Sequence, residues 1–233
     1  DQELAFQAVE YILRVLKKNM VFGMTWGRAM HEFVEQLAKD ERLRSLSFQN
    51  VKVVPFLGTP GAIQSDSWNT TTYSNTLATK VGNLLHCASY NLSAPMYVEG
   101  TKEKELIESI DEIAKVLHMA ETADIALIGI GSMQDDSSII KAEIRTKEEY
   151  KELVRKGAVG EIVGRIYDKN GQTVDEDLKR KMVGISLDKI AKIPVRVGMS
   201  YGKDKIEAIK GAIAGGLVNV LVTDVPTAEL LLK

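Results

Sequence analysis

The stretch Ile193–Thr223, IPVRVGMSYGKDKIEAIKGAIAGGLVNVLVT, decides the fold. It opens on a short apolar run, Ile193–Val197, that stops at Gly198 and Met199. An amphipathic helix follows over Lys205–Leu217, and a second apolar run over Val218–Thr223. A strand of about five residues, a helix of ten or more and another strand make a βαβ unit, which joins parallel neighbours in one sheet. Working outward, the same alternation recurs. Leu4, Ala8, Ile12 and Leu16 share a helical face; Asn19–Met24 is a short apolar run; Met30, Phe33, Val34 and Leu37 return to helical spacing. Val51–Leu57 is a strand closed by Gly58, Pro60 and Gly61. Leu77, Val81 and Leu84 mark a helix, Pro95–Val98 a short strand, Leu106–Leu117 one long helix and Asp124–Ile130 a strand. Glu148–Arg155 is predicted helical, Glu161–Tyr167 a strand running into a turn at Asp168–Gly171, and Thr227–Leu232 a final helical turn or two. The strands are nearly continuous in Val, Ile and Leu, the mark of a parallel sheet covered on both faces. The expected fold is therefore α/β, an open, Rossmann-like, doubly wound and mostly parallel sheet.

Composition limits the function. Hydrophobic residues make up 45% and charged residues 27% of 233 positions, ordinary for a globular chain. A net charge of -2 speaks against gripping nucleic acid unaided, because duplex binding draws on a surplus of Lys and Arg. The single cysteine, Cys87, excludes an intrachain disulfide and suits a reducing compartment. The charged first residues are no signal peptide, and no window reaches the apolar run of about 20 residues that a spanning helix needs. A cytoplasmic protein without membrane contact is expected. His31, His86 and His118 lack metal-ligand spacing, and no nucleophile motif surrounds Cys87 or any serine. Neither a metal, nor a cofactor, nor a catalytic residue is expected.

Ligands of doubly wound sheets sit beyond the carboxyl ends of the strands, so the strand-end loops carry the functional reading. Gly23-Met24-Thr25-Trp26-Gly27-Arg28 joins a strand to a helix. It is either a tight turn with its cap or an anion cradle, in which the helix start supplies N–H groups, Thr25 a hydroxyl, and Gly23 and Gly27 close approach. Gly198–Lys205 has the same construction. Lys205 in the first helical turn opposes the helix dipole, a misplacement that a bound phosphate relieves; otherwise it is a solvated lysine. Gly129-Ile130-Gly131-Ser132 permits close approach to a ligand or forms a plain turn. Glu161 is a candidate acceptor for sugar hydroxyls or a rim carboxylate. Trp68 and Tyr73 flank a polar loop, Asn69–Thr72, that suits a flap over a pocket.

Five segments in order carry a resemblance: AVEYILRVLKKNMVFGMTWGRAM (Ala8–Met30), NLSAP (Asn91–Pro95), ADIALIGIGSM (Ala123–Met133), GAVGEIVGRIYDKNG (Gly157–Gly171) and GKDKIEAIKGAIAGGLVNVLVTDVPTAELLL (Gly202–Leu232). Together they resemble the sugar-binding domain of SorC/DeoR-type bacterial transcription regulators. The resemblance implies a sheet related to sugar-phosphate isomerases and deaminases but used as a sensor. It implies a phosphate held by Gly23, Thr25, Trp26, Gly27 and Arg28 together with Gly202 and Lys205, and sugar hydroxyls met by Glu161, with Gly129 and Gly131 near the ligand. Tyr201 departs from the glycine usual before Gly202. The resemblance further implies one effector domain over residues 1–233, self-association, and DNA contact only through an N-terminal helix-turn-helix absent from this chain. A sugar-phosphate isomerase or deaminase is the alternative; Glu161, Asp135 and Asp136 are its candidate acids and bases.

Overall fold

The computed structural model describes residues 2–60, 70–135 and 137–233. Expectations placed on Gly61, Trp68, Asn69 and Asp136 lie outside them. Along the chain run α1 (Gln2–Val15), β1 (Val21–Met24), α2 (Arg28–Leu37), β2 (Lys52–Pro55), α3 (Ser74–Leu84), β3 (Ala88–Ser89), α4 (Thr101–Glu108), α5 (Asp111–Glu121) and β4 (Ile125–Gly129). Then follow β5 (Gly131–Ser132), α6 (Ser138–Lys141), α7 (Lys147–Arg155), β6 (Ala158–Ile162), β7 (Arg165–Asp168), α8 (Glu176–Lys181) and α9 (Leu187–Ile190). β8 (Val195–Met199), α10 (Ile206–Ala214), β9 (Val220–Val222) and α11 (Val225–Leu231) complete the chain.

Six strands form one sheet in the order β3-β2-β1-β4-β8-β9, parallel throughout. The central strand β4 shows why both faces must be covered. Ile125 and Leu127 point into one core, with Leu4, Ile12, Phe33 and Leu77 from α1, α2 and α3. Ala126 and Ile128 point into the other, with Ala120, Tyr150, Ile209 and Ala212 from α5, α7 and α10. Successive side chains of a strand alternate faces, so a strand apolar at every position needs two cores.

Three elements depart from the sequence reading. The apolar run Glu161–Tyr167 is not one strand. Val163 and Gly164 take positive φ, 55° and 68°, and fold β6 back on β7 as a two-residue hairpin. With β5 it makes a separate three-stranded antiparallel sheet. The long helix expected over Leu106–Leu117 is two helices, because Ile110 is extended (φ -67°, ψ 123°) and starts α5 afresh with Asp111 and Glu112 in its first turn. Pro95–Val98 forms only single bridges, Thr59 to Pro95 and Tyr97 to Met182; the outer parallel strand is Ala88–Ser89. A proline has no N–H to give a ladder, which suits Pro95 to a bridge. No described helix is long and apolar enough to cross a membrane.

Candidate functional site

The sheet order reverses between β1, which leads outward to β2, and β4, which leads to β8. Their following loops diverge and leave a crevice, the usual ligand position in such sheets. A cleft of about 330 Å3 lies there. Trp26, Gly27 and Arg28 line it from the loop after β1, Gly129 from the end of β4, Gly131 from the start of β5, and Gly202 and Lys205 from the loop after β8. Glu161 enters from β6. Eight of the ten residues proposed from sequence therefore share one cavity.

The other two support it. Gly23 lies within β1, where an added Cβ would stand 1.9 Å from the Phe56 ring, so this glycine makes room for the core. Thr25 is 1% exposed, and its hydroxyl accepts the N–H of Gly129 at 3.0 Å, tying the loop after β1 to the end of β4. The N–H of Thr25 is given to Leu127 and that of Gly27 to Thr72. The free donors of an anion cradle are therefore those of the helix start itself, at Arg28 and Ala29, rather than those of the loop. Gly27 (φ 108°) starts α2 and Gly202 (φ 107°) starts the short turn Lys203–Lys205 before α10; neither start carries a side-chain cap. Lys205, half-buried, occupies the N-cap position of α10.

Glu161 is not on the rim. It is 6% exposed, and one carboxylate oxygen accepts the N–H of Gly164 across the hairpin turn. The Trp26 indole bonds the same carboxylate. Opposite it stands Gly131, where a Cβ would lie 2.8 Å from the carboxylate, so only glycine leaves the acid its place. Burial pushes the Glu161 carboxyl up to about 7; the Gly164 N–H, the Lys205 charge, the Trp26 bond and Arg165 act in the other direction. Residues unmarked by sequence reasoning complete the wall: Glu32 one turn along α2 from Arg28, Ser138 at the start of α6, and Asp204, whose carboxylate accepts the Ser132 hydroxyl at 3.3 Å. The Arg28–Glu32 spacing on one helix face was the signal available for Glu32. Asp135 stands 3.9 Å from Lys147 and does not line the cleft. The described residues contain no cluster of His, Cys, Asp and Glu able to hold a metal, and burial raises the Cys87 thiol to about 11, far from a reactive thiolate.

Residues 1–233 match the family described as "Putative sugar-binding domain". The chain belongs to this sugar-binding family of SorC/DeoR-type transcriptional regulators. It is 30% identical over 222 residues to the sorbitol operon regulator of Klebsiella pneumoniae, covering 94% of this chain and 67% of that protein. It is 30% identical over 234 residues to the transcriptional regulator LsrR of Escherichia coli, covering 99% and 68%. The crystal structure of full-length SorC from Klebsiella pneumoniae superposes with a TM-score of 0.88 at 27% identity, over all of this chain and 72% of that one. A transcriptional regulator from Streptococcus pneumoniae gives 0.86 at 25%, over 99% and 84%. As a sugar-binding domain, the protein needs polar walls more than apolar ones, and the cleft has them: two cations at helix starts, and three carboxylates that can accept hydroxyls.

Proposed function

We propose that this domain senses a phosphorylated sugar and performs no chemistry on it. The phosphate sits between the first turn of α2 and the loop before α10, held by the N–H groups of Arg28 and Ala29 and by the Lys205 ammonium. The sugar lies over Glu161, Glu32 and Asp204, whose oxygens accept its hydroxyls. The observation that carries the reading is the convergence of two uncapped, glycine-led helix starts and Lys205 on one buried carboxylate. The names of the relatives, regulators of the sorbitol operon among them, support a carbohydrate effector. Sensing rather than turnover is supported by the commitment of the Glu161 carboxylate to two donors and by the absence of histidine from the described lining. In the longer regulator, effector occupancy of this domain then biases DNA binding by a separate N-terminal helix-turn-helix, and the protein works in the cytoplasm as a homo-oligomer.

Calorimetric titration with a panel of hexose, pentose and hexitol phosphates, followed by analysis of the mixture, tests this. Saturable binding of one phosphorylated sugar with no product is expected. Isomerised or deaminated product establishes the enzyme instead.

A further inference from the structure

A second cleft, of about 360 Å3, lies between α4, α8 and the start of α9 and shares no lining residue with the first. Its wall includes Arg165, the first residue of β7, which is 2% exposed. The Nη2 group donates to the carbonyls of Met182 at 3.2 Å and Gly184 at 3.1 Å, and Gly184 is itself part of the wall, so the guanidinium head reaches the cleft. The Nε and Nη1 groups have no hydrogen-bond partner among the described residues. The nearby carboxylates leave them unmet: Glu161 is bound to Gly164 and Trp26, Glu108 stands 3.6 Å from Lys104, and Asp188 acts on Arg165 through its charge alone. A buried cation with unmet donors is costly, and such groups are retained where something completes them.

We propose that this cleft is a second ligand site, taking a small carboxylate on the buried, unpaired donors of Arg165 at its wall. Arg180, exposed on α8, faces the same cleft, as does Thr101 at the start of α4, whose N-cap Gly100 supplies no side-chain bond. A guanidinium and a helix start both favour an oxyanion. The four carboxylates of the wall, Glu105, Glu108, Glu121 and Asp188, select a singly charged carboxylate over a phosphate dianion, because like charge at close range costs more for the dianion.

The probes are glycolate and inorganic phosphate, titrated calorimetrically and followed by NMR of arginine Nε–H signals. The proteins are the unaltered chain, Lys205→Ala, Arg180→Ala and Arg165→Lys. Glycolate is expected to bind saturably in the roughly millimolar range that a few charge-assisted bonds support, and to shift the Arg165 Nε–H signal. Binding should persist in Lys205→Ala, whose first cleft is disabled, and weaken several-fold in Arg180→Ala and more in Arg165→Lys. Should Arg165→Lys fail to fold, the exposed Arg180→Ala substitution decides. Absence of saturable glycolate binding overturns the site; so does binding indifferent to Arg180, or phosphate bound more tightly than glycolate in Lys205→Ala.

Discussion

Lys205 ends a short turn and stands at the N-cap of α10, where its charge opposes the helix dipole and its ammonium faces a cleft. Its removal should cost the apo protein nothing and relieve a few tenths of a kcal/mol. In the proposed complex it would make a charge-assisted bond worth roughly 1.5–3 kcal/mol, so Lys205→Ala should weaken effector binding by about tenfold to a hundredfold. Titration and melting of both proteins check the two signs separately: unchanged affinity removes Lys205 from the site, and a collapsed melting temperature gives it a structural role. Glu161 gives a pH dependence. Its carboxyl is raised from 4.5 to about 7 by burial, so between these values the folded protein holds a proton that the unfolded chain has released. The stabilising contribution is complete below about pH 4.5 and disappears as pH rises to 7, a loss of about 3 kcal/mol. Glu161→Gln, neutral at every pH, should be more stable than the parent at pH 8 and alike at pH 4; urea melts at both values would show a flat difference if Glu161 is not the group. The residue types at these two positions were legible in sequence. The commitment of the Thr25 and Gly27 N–H groups to Leu127 and Thr72 was not, because those partners lie 102 and 45 positions away in the chain.

At the scale of elements, strands buried on both faces were the legible part. β1, β2, β4, β8 and β9 each stand in an apolar run, and a run with no polar interruption has few alternatives between two amphipathic helices. What escaped were changes of direction inside such runs. Ile162-Val163-Gly164-Arg165-Ile166 reads as one strand because valine is a strand former that rarely takes positive φ; tertiary packing, with Val163 1% exposed, overrides that preference. Ile110 likewise continues the helical spacing of its neighbours while its backbone leaves the helix. The hairpin matters to the site, since its turn supplies the Gly164 N–H that fixes Glu161. Gly164→Ala should cost at least the roughly 1–2 kcal/mol of a left-handed alanine, because φ is 68° there and the new methyl would push aside the Met182 methyl, 2.2 Å away. It should also weaken effector binding, as the displaced turn lets go of the carboxylate. Chemical unfolding and titration of this variant test the link: a destabilised protein with parental affinity would separate the hairpin from the site.

For the whole molecule, charge and exposed surface set what the domain does in solution. Its 30 Lys and Arg against 32 Asp and Glu leave a net charge of -2, so the chain by itself lacks the phosphate-neutralising surplus that gives even non-specific duplex affinity. Its surface nonetheless carries large apolar side chains: Leu106 and Ile110, 70% and 52% exposed, at the junction of α4 and α5, and Val225, 71% exposed, at the start of α11. Scattered singly such residues are unremarkable, but regulators that read paired half-sites need two-fold symmetry, which an effector domain is placed to supply through apolar contact. Two outcomes are expected together. Sedimentation at micromolar concentration should show a dimer or tetramer, and a duplex carrying an operator sequence should not be shifted by this chain at physiological salt. A monomer at every concentration would remove self-association from this domain and place symmetry elsewhere in the regulator. A sequence-specific shift would be the more damaging result, since with no basic surplus it would require base contacts made by the sensor itself.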